Sequence, residues 1–276
     1  MTFSIAKSYL AILTGIAIGD GLIAHVDEPV AKTALDDHFT STQNRGITWR
    51  HLLQQTSEWE GTLWTKPDLI DRHRQLGAEA DNSRKGQHRD LNPPGGYWEY
   101  NDVRVNRLSL SLLQLFRRPL ADVLSERIME PIGASGGWSW NAYRNATVTI
   151  DGVQMPSVPG GSHWGGGLWI GAGDQALLGQ LILQRGAWDG RQLLSEAWVR
   201  AMLTPCDINP EYGYLWWLNT DRARHPAASA DAVAAVGAGG NTILVDPRYK
   251  LVLVARWLDG SALNPLIEKT IAAIET

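Results

Sequence analysis

A single cysteine, Cys206, stands in a chain of 276 residues. No disulfide can close within the chain, and paired-cysteine metal patterns are excluded, which leaves Cys206 as a structural thiol. The seven histidines (His25, His38, His51, His73, His88, His163 and His225) form neither an H-x-x-x-H nor an H-E-x-x-H pattern. Zinc chemistry therefore has no support, and neither a metal nor an organic cofactor is expected. Acidic and basic residues are interspersed, the formal net charge is -4, and no basic stripe offers a surface to nucleic acid. Long apolar runs are missing too: the longest, from Ser8 to Gly19, is too short to span a bilayer. There is no internal repeat and no low-complexity tract.

Tryptophan, by contrast, is abundant, with thirteen copies. Its bulk and half-polar edge predict that most lie in the core and some along a cleft. The opening, MTFSIAKSYLAILTGIAIGDGL, carries one lysine at the mouth of an apolar segment. Three readings fit. It is a secretory leader, a core helix with a lysine near its end, or a helix that presents Ser4 and Lys7 as an S-x-x-K pair. With 15 serines and 6 lysines, chance alone gives roughly 0.3 such matches, so the motif needs context. The context is physical. A serine at a helix N-terminus keeps its own amide free of intrahelical partners, and that amide can bind a developing oxyanion. A lysine one turn later shares its face. A second nucleophile pattern, G-x-S-x-G, occurs at Gly133-Ala134-Ser135-Gly136-Gly137. It follows a predicted helix where a strand is required, so it reads as a helix C-terminal loop.

Periodicity predicts helices over 4–20, 47–59 with Thr48 as N-cap, 102–118 and 119–133. Asp174 is expected to cap a helix that Gly186 ends, and Ser195 a shorter one. Residues 77–96 are loop, and 134–173 loops and short strands. GYLWWLN, DAVAAVG, NTILV and KLVLVARW read as strands, the last two joined by the turn DPRY, with a closing helix at PLIEKTIAAIE. The plan is α+β, an antiparallel sheet flanked by helices with an inserted helical region. The expected division is an α/β lobe of 1–20 and 165–276 and a mainly helical lobe of 21–164.

Three stretches in order carry more weight than any one of them: SIAK, then PPGGYWEYND, then AAVGAGGNTILVDPRYKLVLVARW. With ITWRHLLQQTS between the first two, the chain resembles the serine β-lactamase and penicillin-binding protein superfamily. The closest likeness is to its class C-like branch of esterases and 6-aminohexanoate-dimer hydrolases, over essentially the whole length. The resemblance implies a β-lactamase/transpeptidase-like fold and a serine hydrolase acting on small esters or amides. Ser4 would be acylated, Lys7 would ease its deprotonation, and Tyr100 would shuttle the proton to the leaving group. The amides of Ser4 and Ala238 would form the oxyanion hole, with Gly237, Gly239, Trp98 and His163 along the substrate. Tyr97 and Tyr143 are rivals for Tyr100, which is preferred because a helix begins right after it.

Three departures from the family stand out. Asp102 replaces the usual Asn of the second motif, and a carboxylate beside Lys7 favours its ammonium form. Ala235-Val236-Gly237 replaces the cationic third motif, which implies that penicillins and peptidoglycan termini are poor substrates. Only three residues precede Ser4, where the family places a helix and two strands. Either the natural start lies upstream or the sheet lacks strands, and a missing pair would leave an open edge at which a second copy could pair. A catalytically inactive binding or structural protein of this fold, and a β-lactamase or D,D-peptidase, are the alternative functions. A cytoplasmic location is favoured, with the periplasm the alternative if the natural start lies upstream.

Overall fold

The computed structural model describes residues 1–77, 79–161 and 166–275. Its centre is helix α1, Ile5–Gly19, buried from Ile5 to Ala17. The segment has no proline, and it is apolar on every side, as suits a helix with neighbours all round. Its few polar side chains find partners inside. Ser8 Oγ donates to the Leu215 carbonyl at 2.7 Å and Thr14 Oγ1 to the Leu10 carbonyl at 2.9 Å. Gly15 leaves room for the ring of Trp198, which a Cβ would overlap.

The other helices are α2 (Trp49–Leu53), α3 (Asp102–Phe116), α4 (Leu120–Leu124), α5 (Ala172–Leu183), α6 (Glu196–Met202) and α7 (Gly260–Ile274). Two-stranded ribbons pair β1 (Thr62–Leu63) with β2 (Lys66–Pro67), β3 (Ser139–Asn141) with β6 (Gly167–Trp169), β4 (Thr147–Ile150) with β5 (Val153–Pro156), and β7 (Ala187–Trp188) with β8 (Arg191–Gln192). The main sheet is antiparallel, with β9 (Trp217–Leu218), β10 (Val233–Gly237), β11 (Asn241–Asp246) and β12 (Leu251–Ala255) in the order β12-β11-β10-β9. Its register runs Val233↔Val245 to Gly237↔Asn241 and Thr242↔Ala255 to Asp246↔Leu251. Alternation along the strands builds two layers. Val233, Ala235, Ile243 and Val245 join the large core around α1, while Ala234, Leu244, Leu253 and Ala255 pack with Ile267 and Ile271 of α7. α5 lies close on the α1 side, where Gly179 meets Val252.

The sequence-based elements stand with local changes. Helix α2 is shorter than 47–59, but Thr48 caps it in a reciprocal box with His51. The 119–133 helix widens after α4 into a π-type turn, Ser125–Met129. Gly171 rather than Asp174 caps α5. The Asp174 carboxylate is instead taken by Ser135, whose N–H and Oγ donate to it at 2.8 and 2.7 Å. Of 213–219 only Trp217–Leu218 is strand. Upstream, Gly213 N–H bonds back to the Trp216 carbonyl and Leu215 takes a left-handed φ of 59°, which folds the segment into a turn.

The 102–116 helix and the segment before it set up the site. Asn101 caps α3 by accepting the Val103 and Arg104 amides at 3.1 and 3.2 Å, and its Nδ2 donates to the Asp68 carbonyl at 2.9 Å. Asp68–Asp71 is a 3-10 turn, and Asp71 accepts the Asp102 amide at 3.0 Å. Arg104, fully interior, pairs with Asp68 of this turn (3.1 Å) and with Glu58 (2.7 Å), which ties the two together. Charged groups survive such burial only when paired on all sides. No helix among the described residues is long and apolar enough to cross a membrane.

Candidate active site

Ser4 is the N-cap of α1, and the residues before it are tightly held. Thr2 donates from its amide to the Leu168 carbonyl at 2.9 Å, and Arg256 donates to the carbonyls of Met1 (2.9 Å) and Ile170 (2.7 Å). Between them Phe3 takes a left-handed φ of 51° and packs edge-on against Trp257. A non-glycine residue in that region costs about 1–3 kcal/mol, and the surrounding bonds offset it. Among the described residues neither the Ser4 amide nor the Ala238 amide has a hydrogen-bond acceptor. The two belong to touching segments, because a Cβ on Gly237 would reach 3.2 Å from Ser4 N and would overlap the Thr2 carbonyl. Gly237→Ala should therefore lower the thermal midpoint, by a loss of about 1–3 kcal/mol. An unchanged melt would show that the two segments do not press on each other.

Lys7 is 2% exposed and its ammonium has three neighbours: Ser4 Oγ at 2.8 Å, the Gly160 carbonyl at 3.0 Å and Asp102 Oδ1 at 2.6 Å. Burial opposes the charge, but the Asp102 carboxylate, the facing Tyr100 and the hydrogen bond to Asp102 outweigh it, so Lys7 is held above the ordinary lysine range. Gly160 is fixed in turn by its N–H to Asn106 Oδ1 at 3.0 Å.

Tyr100 is the tyrosine that α3 brings to Lys7, whose Nζ lies 4.8 Å from the ring centre. Tyr97 points elsewhere, exposed beneath Arg89, and Tyr143 is buried against Trp64. Tyr100 stacks on Trp217 at 6.0 Å and 18°. Ser4, Tyr100, Trp217, Val236, Gly237 and Ala238 line a cleft of about 390 Å³. Ala235 is buried and faces the core. Trp98 supports Tyr100 and Trp217 from outside the cleft lining, at 6.4 and 6.0 Å. Gly239 faces Trp257, and His163 lies outside the described residues.

Two arginines were missed by sequence reasoning, and both line the cleft. Arg74 bonds Asp102 Oδ2 at 2.8 Å, so one carboxylate bridges Lys7 and Arg74. Its guanidinium also faces the Tyr100 ring at 5.2 Å. Arg224 lies over the Trp217 ring at 4.0 Å. The third-motif position, Ala235, carries no charge, but these two arginines place cations on the cleft. The signal for Arg74 was the acid at position 102, which asks for a second counter-charge; nothing in the sequence pointed to Arg224. No group of side chains suited to hold a metal occurs among the described residues.

Residues 1–257 match the Beta-lactamase family, and the chain belongs to it. Among solved structures it is similar to a family VIII carboxylesterase, with a TM-score of 0.67 and 14% identity over 99% of this chain and 82% of that one. It is also similar to EstCE1, a hydrolase with promiscuous acyltransferase activity, at 0.65 and 18% over 98% and 83%. The octameric penicillin-binding protein homologue from Pyrococcus abyssi aligns at 0.64 and 17% over 99% of this chain and 65% of that chain. No curated protein matches by sequence.

Proposed function

We propose that the protein is a serine hydrolase that cleaves small esters or amides through an acyl-enzyme on Ser4. The observation that carries this reading is the contact of Ser4 Oγ with a buried ammonium at the mouth of a cleft, beside two amides that have no acceptor among the described residues. Lys7 donates to Ser4 Oγ and has no lone pair to take a proton. It steadies the alkoxide as the hydroxyl is lost. Tyr100, acting as the phenolate, takes the Ser4 proton as Oγ bonds to the carbonyl carbon, and gives it to the leaving alcohol or amine as that bond breaks, which restores the phenolate. The amides of Ser4 and Ala238 hold the oxyanion. Water then attacks the acyl group by the reverse path, which gives the free acid and restores Ser4. The cleft lies between the α1–sheet lobe and the helical lobe. The names of the carboxylesterase and hydrolase neighbours support the same chemistry.

A fluorophosphonate should add once to the intact protein, at the peptide that holds Ser4. Labelling at Ser135 would sink the assignment; that hydroxyl is engaged by Asp174. The same reading extends to assembly. β12 ends the main sheet among the described residues, and a second copy could pair along that strand. The octameric neighbour supports this.

A further inference from the structure

Tyr100 has to serve both Ser4 Oγ and the leaving group, so its oxygen needs a fixed place. One side chain behind the cleft grips it from several directions. Gln55 is fully buried and follows α2, where its amide donates to the Leu52 carbonyl at 3.3 Å. Its φ is 58°. That left-handed position just past a helix favours glycine or asparagine. A long side chain held there against the backbone preference points to a task for the side chain.

The contacts show what that task is. The Gln55 backbone carbonyl accepts the Glu99 amide at 3.0 Å, and its side-chain Oε1 accepts the Asn101 amide at 2.8 Å. Tyr100 lies between these two residues, so one glutamine holds the chain on both sides of it. Gln55 Nε2 donates to Tyr212 Oη at 3.0 Å. The opposite orientation of the amide would set its NH2 group against the Asn101 N–H, so the donor and acceptor ends are fixed. Tyr212 is itself buried. It stands edge-on to Tyr100 at 6.5 Å and to Trp217 at 4.8 Å, and Trp217 stacks on Tyr100. Backbone and ring of Tyr100 are thus both tied to the same amide.

We infer that Gln55 is a positioning residue for Tyr100: from outside the cleft lining, it sets where the Tyr100 oxygen stands relative to Ser4 and the leaving group. The inference rests on the hydrolase reading for the role of Tyr100, but the placement it predicts can be measured without turnover.

Gln55→Met keeps the length and bulk of the side chain and removes both of its hydrogen bonds. On ethyl butyrate, whose leaving alkoxide needs the proton from Tyr100, kcat should fall about tenfold or more with little change in KM, the scale expected when a catalytic group is slightly misplaced. On 4-nitrophenyl butyrate the loss should be smaller, because nitrophenolate leaves without a proton. In a Tyr100→Phe background Gln55→Met should cost less than about twofold, since the group it places is gone. Rates are scaled to the folded fraction from a parallel melt. An unchanged kcat, an equal loss on both esters, or losses that multiply in the double variant overturn the proposal. If Gln55→Met does not fold, Tyr212→Phe removes only the hydroxyl that Nε2 holds. It should lose about threefold or more on ethyl butyrate, and that loss should vanish when Tyr100→Phe is added; no loss overturns the proposal. A second arm needs no turnover. In protein labelled with 13C at the tyrosine Cζ, the Tyr100 resonance is the one missing from Tyr100→Phe, and it should shift in Gln55→Met. A resonance that stays in place overturns the proposal. A shifted resonance in a protein that cleaves neither ester would keep the positioning and refute the hydrolase.

Discussion

Tyr100→Phe is expected to lower kcat/KM on a small neutral ester by about a hundredfold or more, the scale of general acid–base catalysis. The reason lies in how Lys7 is used. It donates to Ser4 Oγ and the Gly160 carbonyl and is ion-paired with the Asp102 carboxylate. A neutral amine would give up its attraction to that buried carboxylate. The ammonium is the form that fits, and an ammonium cannot receive the Ser4 proton. Tyr100 is then the proton carrier on the cleft. Lys7 at 4.8 Å and Arg74 at 5.2 Å from its ring offset the negative charge its oxygen bears before it takes the Ser4 proton and again after it gives that proton up. The substitution removes one hydroxyl and keeps the ring stacked on Trp217, so the melting curve should barely change. Steady-state kinetics with a parallel melt separate the two effects. A near-normal rate in Tyr100→Phe would mean that Lys7, or another group, moves the proton.

Asp102→Leu should cost about 3–5 kcal/mol of stability, because it strands Lys7 without its carboxylate in a site closed to water. Arg74 would lose the same partner. Asp102→Asn is milder. It keeps the shape and supplies a polar partner, so activity should persist, but burial would then dominate over attraction and pull Lys7 down. The sign follows. In the native protein Lys7 is held above its ordinary value of 10.5. Its contribution to stability is complete below the unfolded value and is lost as pH rises through the folded one. In Asp102→Asn, with burial holding Lys7 below its ordinary value, the sign reverses and stability should rise with pH through the Lys7 range, while the basic limb of the pH–rate profile should move to lower pH. Profiles and denaturant melts of both variants check this. A basic limb that stays in place in Asp102→Asn, or an Asp102→Leu protein as stable as the parent, would show that Asp102 does not govern the charge on Lys7.

What could be read from the sequence was local or periodic. S-x-x-K fixes Ser4 and Lys7 on one helix face because the helix repeat does so, whatever surrounds them. The apolar, strand-like runs DAVAAVG, NTILV and KLVLVARW marked the strands, and Thr48 and Ser195 announced their helices through cap chemistry. What could not be read depends on contacts far apart in the chain. Arg74 reaches Asp102 because the Asp68–Asp71 turn is tied to Asn101 and Arg104. Arg224 reaches the cleft through a loop held by Asn219 and Asn264. Neither loop has a repeat that would show where its side chains lead. Asp174 carried the composition of a cap but was claimed by Ser135, a tertiary contact that local propensity does not register.

The central claim is that Ser4 becomes acylated during turnover. Mixing the protein with an excess of 4-nitrophenyl acetate, quenching in acid within the first turnovers and weighing the intact chain tests it most directly. The account predicts a transient species heavier by one acetyl group, located by peptide mapping on Ser4, absent in Ser4→Ala and decaying as acetate is released. Steady hydrolysis of the ester with no acetylated chain at any time, or with the acetyl group on another residue, would contradict it.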